Sequence, residues 1–243
     1  MELTDLGEHR RGDPVVLIHG LTASASSGWV RTGWARDLER AGFRPLGVDL
    51  PGHGPRAAPV PAGTSRAGLV EAIRRLLDGV DVPVPVVGYS VGAQLAWSAA
   101  ARSSRVSSLV LGGLGPRDRL AELGRALAGD PDAHPDARAF AAARTAAAGD
   151  PAQVRRWAEF ARLLGAEPFA PGREAPAQPA LLFAGARDAW ADPEQLARCR
   201  PLDATTRLLL VPGRDHVDAL TAGTARKRAV EFLRRTTAEG GLP

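Results

Sequence analysis

The chain of 243 residues contains a single cysteine, Cys199, and a single lysine, Lys227. A lone cysteine excludes an internal disulfide and any cysteine-based metal site. No CxxC pair and no H-E-x-x-H sequence occurs, so neither zinc signature is available. No apolar run approaches the roughly 20 residues that a membrane span requires. The first residues, MELTDLGEHRRGDP, are charged and lack the apolar stretch of a secretory signal. A soluble, cytoplasmic protein with no membrane span is therefore expected. A surplus of one charge is also missing. The net charge is +4, from 31 basic and 27 acidic residues, and the arginines alternate with Asp and Glu along the whole length. Without a basic block, or a basic stripe interleaved with aromatics, no nucleic-acid partner is expected.

What is present is a regular alternation. Short apolar runs rich in β-formers occur at Pro14–His19, Phe43–Leu50, Pro83–Tyr89, Val106–Gly112, Ala180–Ala184 and Arg207–Val211. Helical patterns follow at Trp34–Arg40, Ser65–Leu77, Val91–Ala101, Pro193–Arg198 and Thr224–Arg235. Strands alternating with helices predict an α/β fold with a mostly parallel, doubly wound sheet, and near-continuous apolar strands fit a sheet covered on both faces. The alternation breaks over residues 116–178, which hold no strand-like run. Three helical patterns near Arg117–Ala128, Pro135–Ala147 and Pro151–Leu164 fill that segment. The expected division is a core of residues 1–115 and 179–243 with a helical insertion of residues 116–178.

Ligands of an open parallel sheet gather outside the carboxyl ends of its strands. There the sequence places His19-Gly20-Leu21-Thr22, Asp49-Leu50-Pro51-Gly52-His53-Gly54, Ser90, Gly185-Ala186-Arg187-Asp188 and Pro212-Gly213-Arg214-Asp215-His216. Ser90 lies in GYSVG, between two glycines. Glycine is 27 of 243 residues and there are ten serines, so this spacing alone would arise by chance roughly one time in eight. The other strand ends decide. A serine, a carboxylate and a histidine at strand ends of one sheet are the set that nucleophilic acyl transfer needs. The hydroxyl must lose its proton to an imidazole as it attacks, and the imidazolium needs a carboxylate to hold it. A helix opening at Val91 would point its N–H groups at the developing oxyanion.

The motifs HG, DLPGHG, GYSVG, GARD and GRDH, in that order, resemble the α/β-hydrolase superfamily, whose serine elbow and Ser-Asp-His order they share. The resemblance runs from about Pro14 to Leu233. It implies a catalytic set of Ser90, Asp188 and His216, an oxyanion hole from the backbone N–H groups of Leu21 and Val91, and a cap formed by residues 116–178. It also implies a small-molecule ester or thioester as substrate, with no metal or organic cofactor. Serine at the nucleophile position argues against the epoxide-hydrolase and haloalkane-dehalogenase branches, which use aspartate. A carbon–carbon bond hydrolase, a tailoring thioesterase or cyclase, and an inactive ligand-binding member remain as alternatives. Only a vestige of the family's leading antiparallel strands fits before Pro14.

Blander roles suit several other residues. His53 is expected to brace its turn and His19 to shape the loop after the first strand, while His9 and His134 are expected to be solvated. Trp157 and Phe160 either line a pocket or dock the insertion, and Trp190 and Trp29 are candidate pocket walls. Four acids compete for the histidine. Asp192 is better read as a helix N-cap before Pro193. Asp215 is adjacent to His216, and neighbouring side chains in an extended segment point apart. Asp118 looks solvated. Asp188 is left, and the resemblance also points to it.

Overall fold

The computed structural model describes residues 1–54, 57–201 and 205–240, with residues 239 and 240 as backbone only. Among the described residues, seven strands form one sheet: β1 (Leu3–Asp5), β2 (Asp13–Ile18), β3 (Phe43–Val48), β4 (Val84–Tyr89), β5 (Val106–Gly112), β6 (Ala180–Gly185) and β7 (Thr206–Val211). Their spatial order is β1-β3-β2-β4-β5-β6-β7. Every pairing is parallel except that of β1 with β3, where Leu3 faces Val48 and Asp5 faces Leu46. This is the expected α/β architecture, with β1 as a three-residue antiparallel remnant.

The strands alternate between two cores, because successive side chains point to opposite faces. Val16, Ile18, Val86, Leu109, Leu111 and Leu182 pack under α2 (Arg66–Asp78) and α3 (Val91–Ala100). Val15, Leu17, Val87, Val110, Leu181 and Phe183 pack under α1 (Trp34–Arg40) and α8 (Gly223–Gly240). All six residues of β4 and all six of β6 are buried, as strands covered on both faces must be. Trp29 belongs to the second core, edge-on to Trp34 at 5.6 Å between ring centroids. It is therefore not a pocket wall.

Residues between β5 and β6 form α4 (Leu120–Leu127), α5 (Pro135–Ala148) and α6 (Pro151–Gly165), with no strand among them. Their starts follow local chemistry. Pro135 and Pro151 occupy first-turn positions, and the Asp150 carboxylate accepts the Ala152 N–H at 2.8 Å. The short helix α7 (Pro193–Ala197) is capped in the same way by Asp192, which accepts the Gln195 N–H at 2.9 Å.

The two ends of this helical segment are tied down by a buried pair that the sequence did not disclose. Arg66, on α2, donates to the Asp118 carboxylate, to Gln94 Oε1 at 2.9 Å and to the Glu167 carbonyl at 2.6 Å. Asp118 also accepts the N–H groups of Leu120 and Phe169 at 2.8 and 2.7 Å. Its side chain is only 7% exposed, so the expectation of a solvated Asp118 is wrong. The Pro-Arg-Asp-Arg context suggested solvent, but an arginine 52 positions earlier pairs with it.

Candidate active site

The site is built where β2, β4, β6 and β7 end. Ser90 follows β4 with φ 53° and ψ −119°, a region that costs a non-glycine residue on the order of 1–3 kcal/mol. Fixed partners hold it there. Its N–H donates to the Gly112 carbonyl at 2.8 Å, and its carbonyl accepts the Gln94 N–H at 3.0 Å. The sharp turn drives the first turn of α3 against the end of β2. A Cβ on Gly92 would lie 2.1 Å from the Ile18 carbonyl oxygen, and one on Gly88 would lie 2.7 Å from Ala93 Cα. The glycines on either side of the serine are thus required by contact.

His216 lies beyond β7. Its Nδ1 is 2.8 Å from Asp188 Oδ2 and its Nε2 is 3.1 Å from Ser90 Oγ. Donation from Nδ1 to the carboxylate leaves Nε2 as an acceptor facing the hydroxyl, within the reach a general base needs. Asp188 follows β6, and its side chain is fully buried while that of His216 is 14% exposed. Oδ1 of Asp188 accepts the N–H groups of Trp190 and Ala191 at 2.9 and 3.1 Å. Every oxygen of that buried carboxylate therefore has a donor. The Tyr89 hydroxyl donates to the His216 carbonyl at 2.8 Å, and burial raises the phenol well above its ordinary pKa.

Asp215 turns away from this relay. Its carboxylate accepts the N–H groups of Val217 and Asp218 at 2.8 and 2.9 Å, and those bonds lower its pKa. His19 Nδ1 donates to the Gly20 carbonyl at 2.8 Å while Nε2 accepts the Leu50 N–H at 3.1 Å. This ring ties the loop after β2 to the loop after β3. His53 Nδ1 donates to the Pro51 carbonyl at 2.9 Å, and its ring meets Phe160 edge-on at 4.7 Å. Burial pushes the His53 imidazole down to about 3 and also lowers that of His19.

A cavity of about 210 Å³ opens on Ser90 and His216. Leu21 and Thr22 form one wall, and Leu123, Phe140 and Trp190 another. Trp190 lies 4.8 Å from the His216 ring and 5.3 Å from Phe140, centroid to centroid. Val91 borders a smaller space of about 30 Å³ that shares Ser90, Leu123, Trp190 and His216 with the first. Thr22 has φ 66°, rare for a β-branched residue. Trp157 and Phe160 are buried in the packing of α6 and do not line the cavity at Ser90. Phe140 and Arg144, which do, were missed. They stand four residues apart in the alanine-rich DARAFAAARTAAA, hence on one face of α5, and that spacing was the available signal.

A family model described as the alpha/beta hydrolase fold matches residues 13–169. The chain belongs to the α/β-hydrolase family. Solved structures of the same fold agree over nearly the whole length. A carboxylesterase of the ammonia-oxidizing thaumarchaeon Nitrososphaera gargenis is 15% identical, with a TM-score of 0.71 over 98% of this chain and 95% of that one. The meta-cleavage product hydrolase CumD of Pseudomonas fluorescens IP01 is 21% identical, with a TM-score of 0.71 over 96% and 93%. MenH from S. aureus is 16% identical, with a TM-score of 0.69 over 98% and 99%. These identities carry the fold and not the reaction. No curated protein sequence matches the chain. Among the described residues, no helix of this α/β-hydrolase is long and apolar enough to cross a membrane.

Proposed function

We propose that the protein is a serine hydrolase that cleaves a carboxylic ester or thioester through an acyl-enzyme on Ser90. The unbroken relay from Asp188 through His216 to a serine that opens on a cavity carries this reading. Ser90 Oγ attacks the acyl carbon as His216 Nε2 takes its proton, and the N–H groups of Leu21 and Val91 hold the oxyanion. Asp188 stabilises the imidazolium. His216 then delivers the proton to the departing alcohol or thiol. A water molecule deprotonated by His216 attacks the acyl-enzyme and releases the acid and Ser90. Residues 116–178 serve as the cap, because α4 and α5 supply Leu123 and Phe140 to the cavity. The small space favours short acyl or aryl groups, since sites for drug-sized ligands occupy roughly 300–1,000 Å³.

A fluorophosphonate probe should label Ser90 and no other serine, as read by peptide mapping. Ser90→Ala and His216→Ala should each lose on the order of 10⁴–10⁶ in kcat on short-chain esters, without the losses adding. An adduct elsewhere, or undiminished turnover by Ser90→Ala, would defeat the mechanism. Activity confined to carbon–carbon substrates in a panel would move the reaction to that class on the same residues.

A further inference from the structure

Among the described residues, Arg144 is the one arginine that lines the cavity shared by Ser90 and His216, and no carboxylate side chain lines that cavity. Its guanidinium donates to the Thr22 carbonyl at 3.2 Å, and its Nε is buried with no partner. Arg105 and Arg156 also keep a buried Nε without a partner, but neither lines the cavity at Ser90. Arg66 has Asp118, Gln94 and the Glu167 carbonyl. Arg200 has the Gln178 carbonyl, the Thr206 hydroxyl at 3.0 Å and the Trp97 ring, although one of its terminal nitrogens is unpartnered. For Arg66 nearby carboxylates offset the cost of burial, whereas for Arg144, as for Arg200, burial acts alone.

The surroundings are biased the same way. The small space that shares Ser90, Leu123, Trp190 and His216 with this cavity is lined by Arg117 and Arg119, again with no carboxylate among the described residues. A third cavity, of about 530 Å³, shares Thr22 and Arg144 with the first and adds Arg31 and Arg156. Its one lining acid among the described residues, Asp150, lies 3.7 Å from Arg156 and so leaves Arg144 unmatched. A half-buried guanidinium short of acceptors is costly, and a carboxylate matches its fork with two parallel hydrogen bonds.

We infer that the acyl group of the substrate carries a carboxylate, which Arg144 binds while Ser90 attacks the ester or thioester carbonyl. The inference rests on the hydrolase reading for the identity of the attacked bond, but the anion subsite can be tested without turnover. Phenyl hexanoate and monophenyl adipate have six-carbon acyl chains that end in a methyl group and a carboxylate respectively. The wild-type kcat/KM should favour the adipate ester by on the order of tenfold or more, the size of one charge-assisted interaction. Arg144→Gln should erase that preference, and Arg144→Lys should retain part of it because the charge survives without the fork. Equal wild-type rates on the two esters would overturn the inference, as would a preference that persists in Arg144→Gln.

Binding of adipamic acid and hexanamide to Ser90→Ala, by titration calorimetry, provides the second arm; both carry an uncharged amide in place of the ester, and only adipamic acid ends in a carboxylate. Adipamic acid should bind at least tenfold more tightly, and the Ser90→Ala/Arg144→Gln double variant should lose the difference. If neither ester is hydrolysed but adipamic acid binds in this Arg144-dependent way, the hydrolase reading falls and the anion subsite stands. If adipamic acid and hexanamide bind alike, the subsite falls whatever the hydrolysis shows.

Discussion

At the scale of single residues, the question is what each polar group is already bonded to. Asp188, Asp118, Asp192 and Asp215 are chemically alike, and their partners separate them. Asp192 is occupied by a helix start and Asp215 by two backbone N–H groups of its own turn. Asp118 is taken by Arg66 and two N–H groups. Asp188 gives one oxygen to backbone N–H groups and the other to His216. Asp188→Asn would set an amide N–H against Nδ1 and favour the wrong imidazole tautomer. It should lower kcat by roughly 10⁴ with the fold intact by circular dichroism, while Asp215→Asn stays within roughly tenfold. The reverse ranking would reassign the acid. The places of Asp192 and Asp215 are legible in the sequence, since caps and adjacency are local. Those of Asp118 and Arg144 are not, because their partners or lack of them depend on chain segments brought together only by folding.

At the scale of elements, the sheet was legible and the packing of α4–α6 was not. A strand buried on both faces must be apolar throughout, so β4 and β6 announce themselves as VPVVGY and ALLFAG. A helix shows only that it has an apolar face, not what that face meets. Leu164, Phe160 and Trp157 share one face of α6, yet all three are buried in packing. The cavity wall comes instead from Leu123 on α4 and Phe140 on α5. Two substitutions should separate these roles. Phe140→Ala should shift kcat/KM toward longer or bulkier acyl esters by about tenfold, the scale of a changed apolar pocket contact. Phe160→Ala should leave the ranking of esters as it was and cost about 3–5 kcal/mol of stability by opening a cavity. Profiles of chain length and urea melts of both variants measure the two effects. A selectivity shift in Phe160→Ala, with none in Phe140→Ala, would give the wall to α6.

At the scale of the whole molecule, the loops after β2 and β3 are joined by two histidines whose burial makes stability depend on pH. His19 and His53 lie 5.2 Å apart, centroid to centroid. His53 is hemmed in by Phe160 and takes a further unfavourable charge from Arg156. Burial lowers both imidazoles, that of His53 to about 3. In the unfolded chain each returns to about 6.5. Below that value the unfolded state binds more protons than the folded one, so stability falls as the pH falls. For His53 the loss is absent above about pH 6.5 and accumulates toward pH 3 at roughly 1.4 kcal/mol per unit, and His19 adds to it in the same direction. Between pH 7 and 5.5 ordinary carboxylates stay ionised, so this window isolates the imidazoles. Urea denaturation should show stability lower at pH 5.5 than at pH 7 by at least about 1 kcal/mol, the share of His53. His53→Phe removes that titration while keeping a ring against Phe160, and it should lower the difference by about 1 kcal/mol. A wild-type stability that does not change across this window would mean that the two rings are not held neutral. An unchanged difference in His53→Phe would place the titration elsewhere in the molecule.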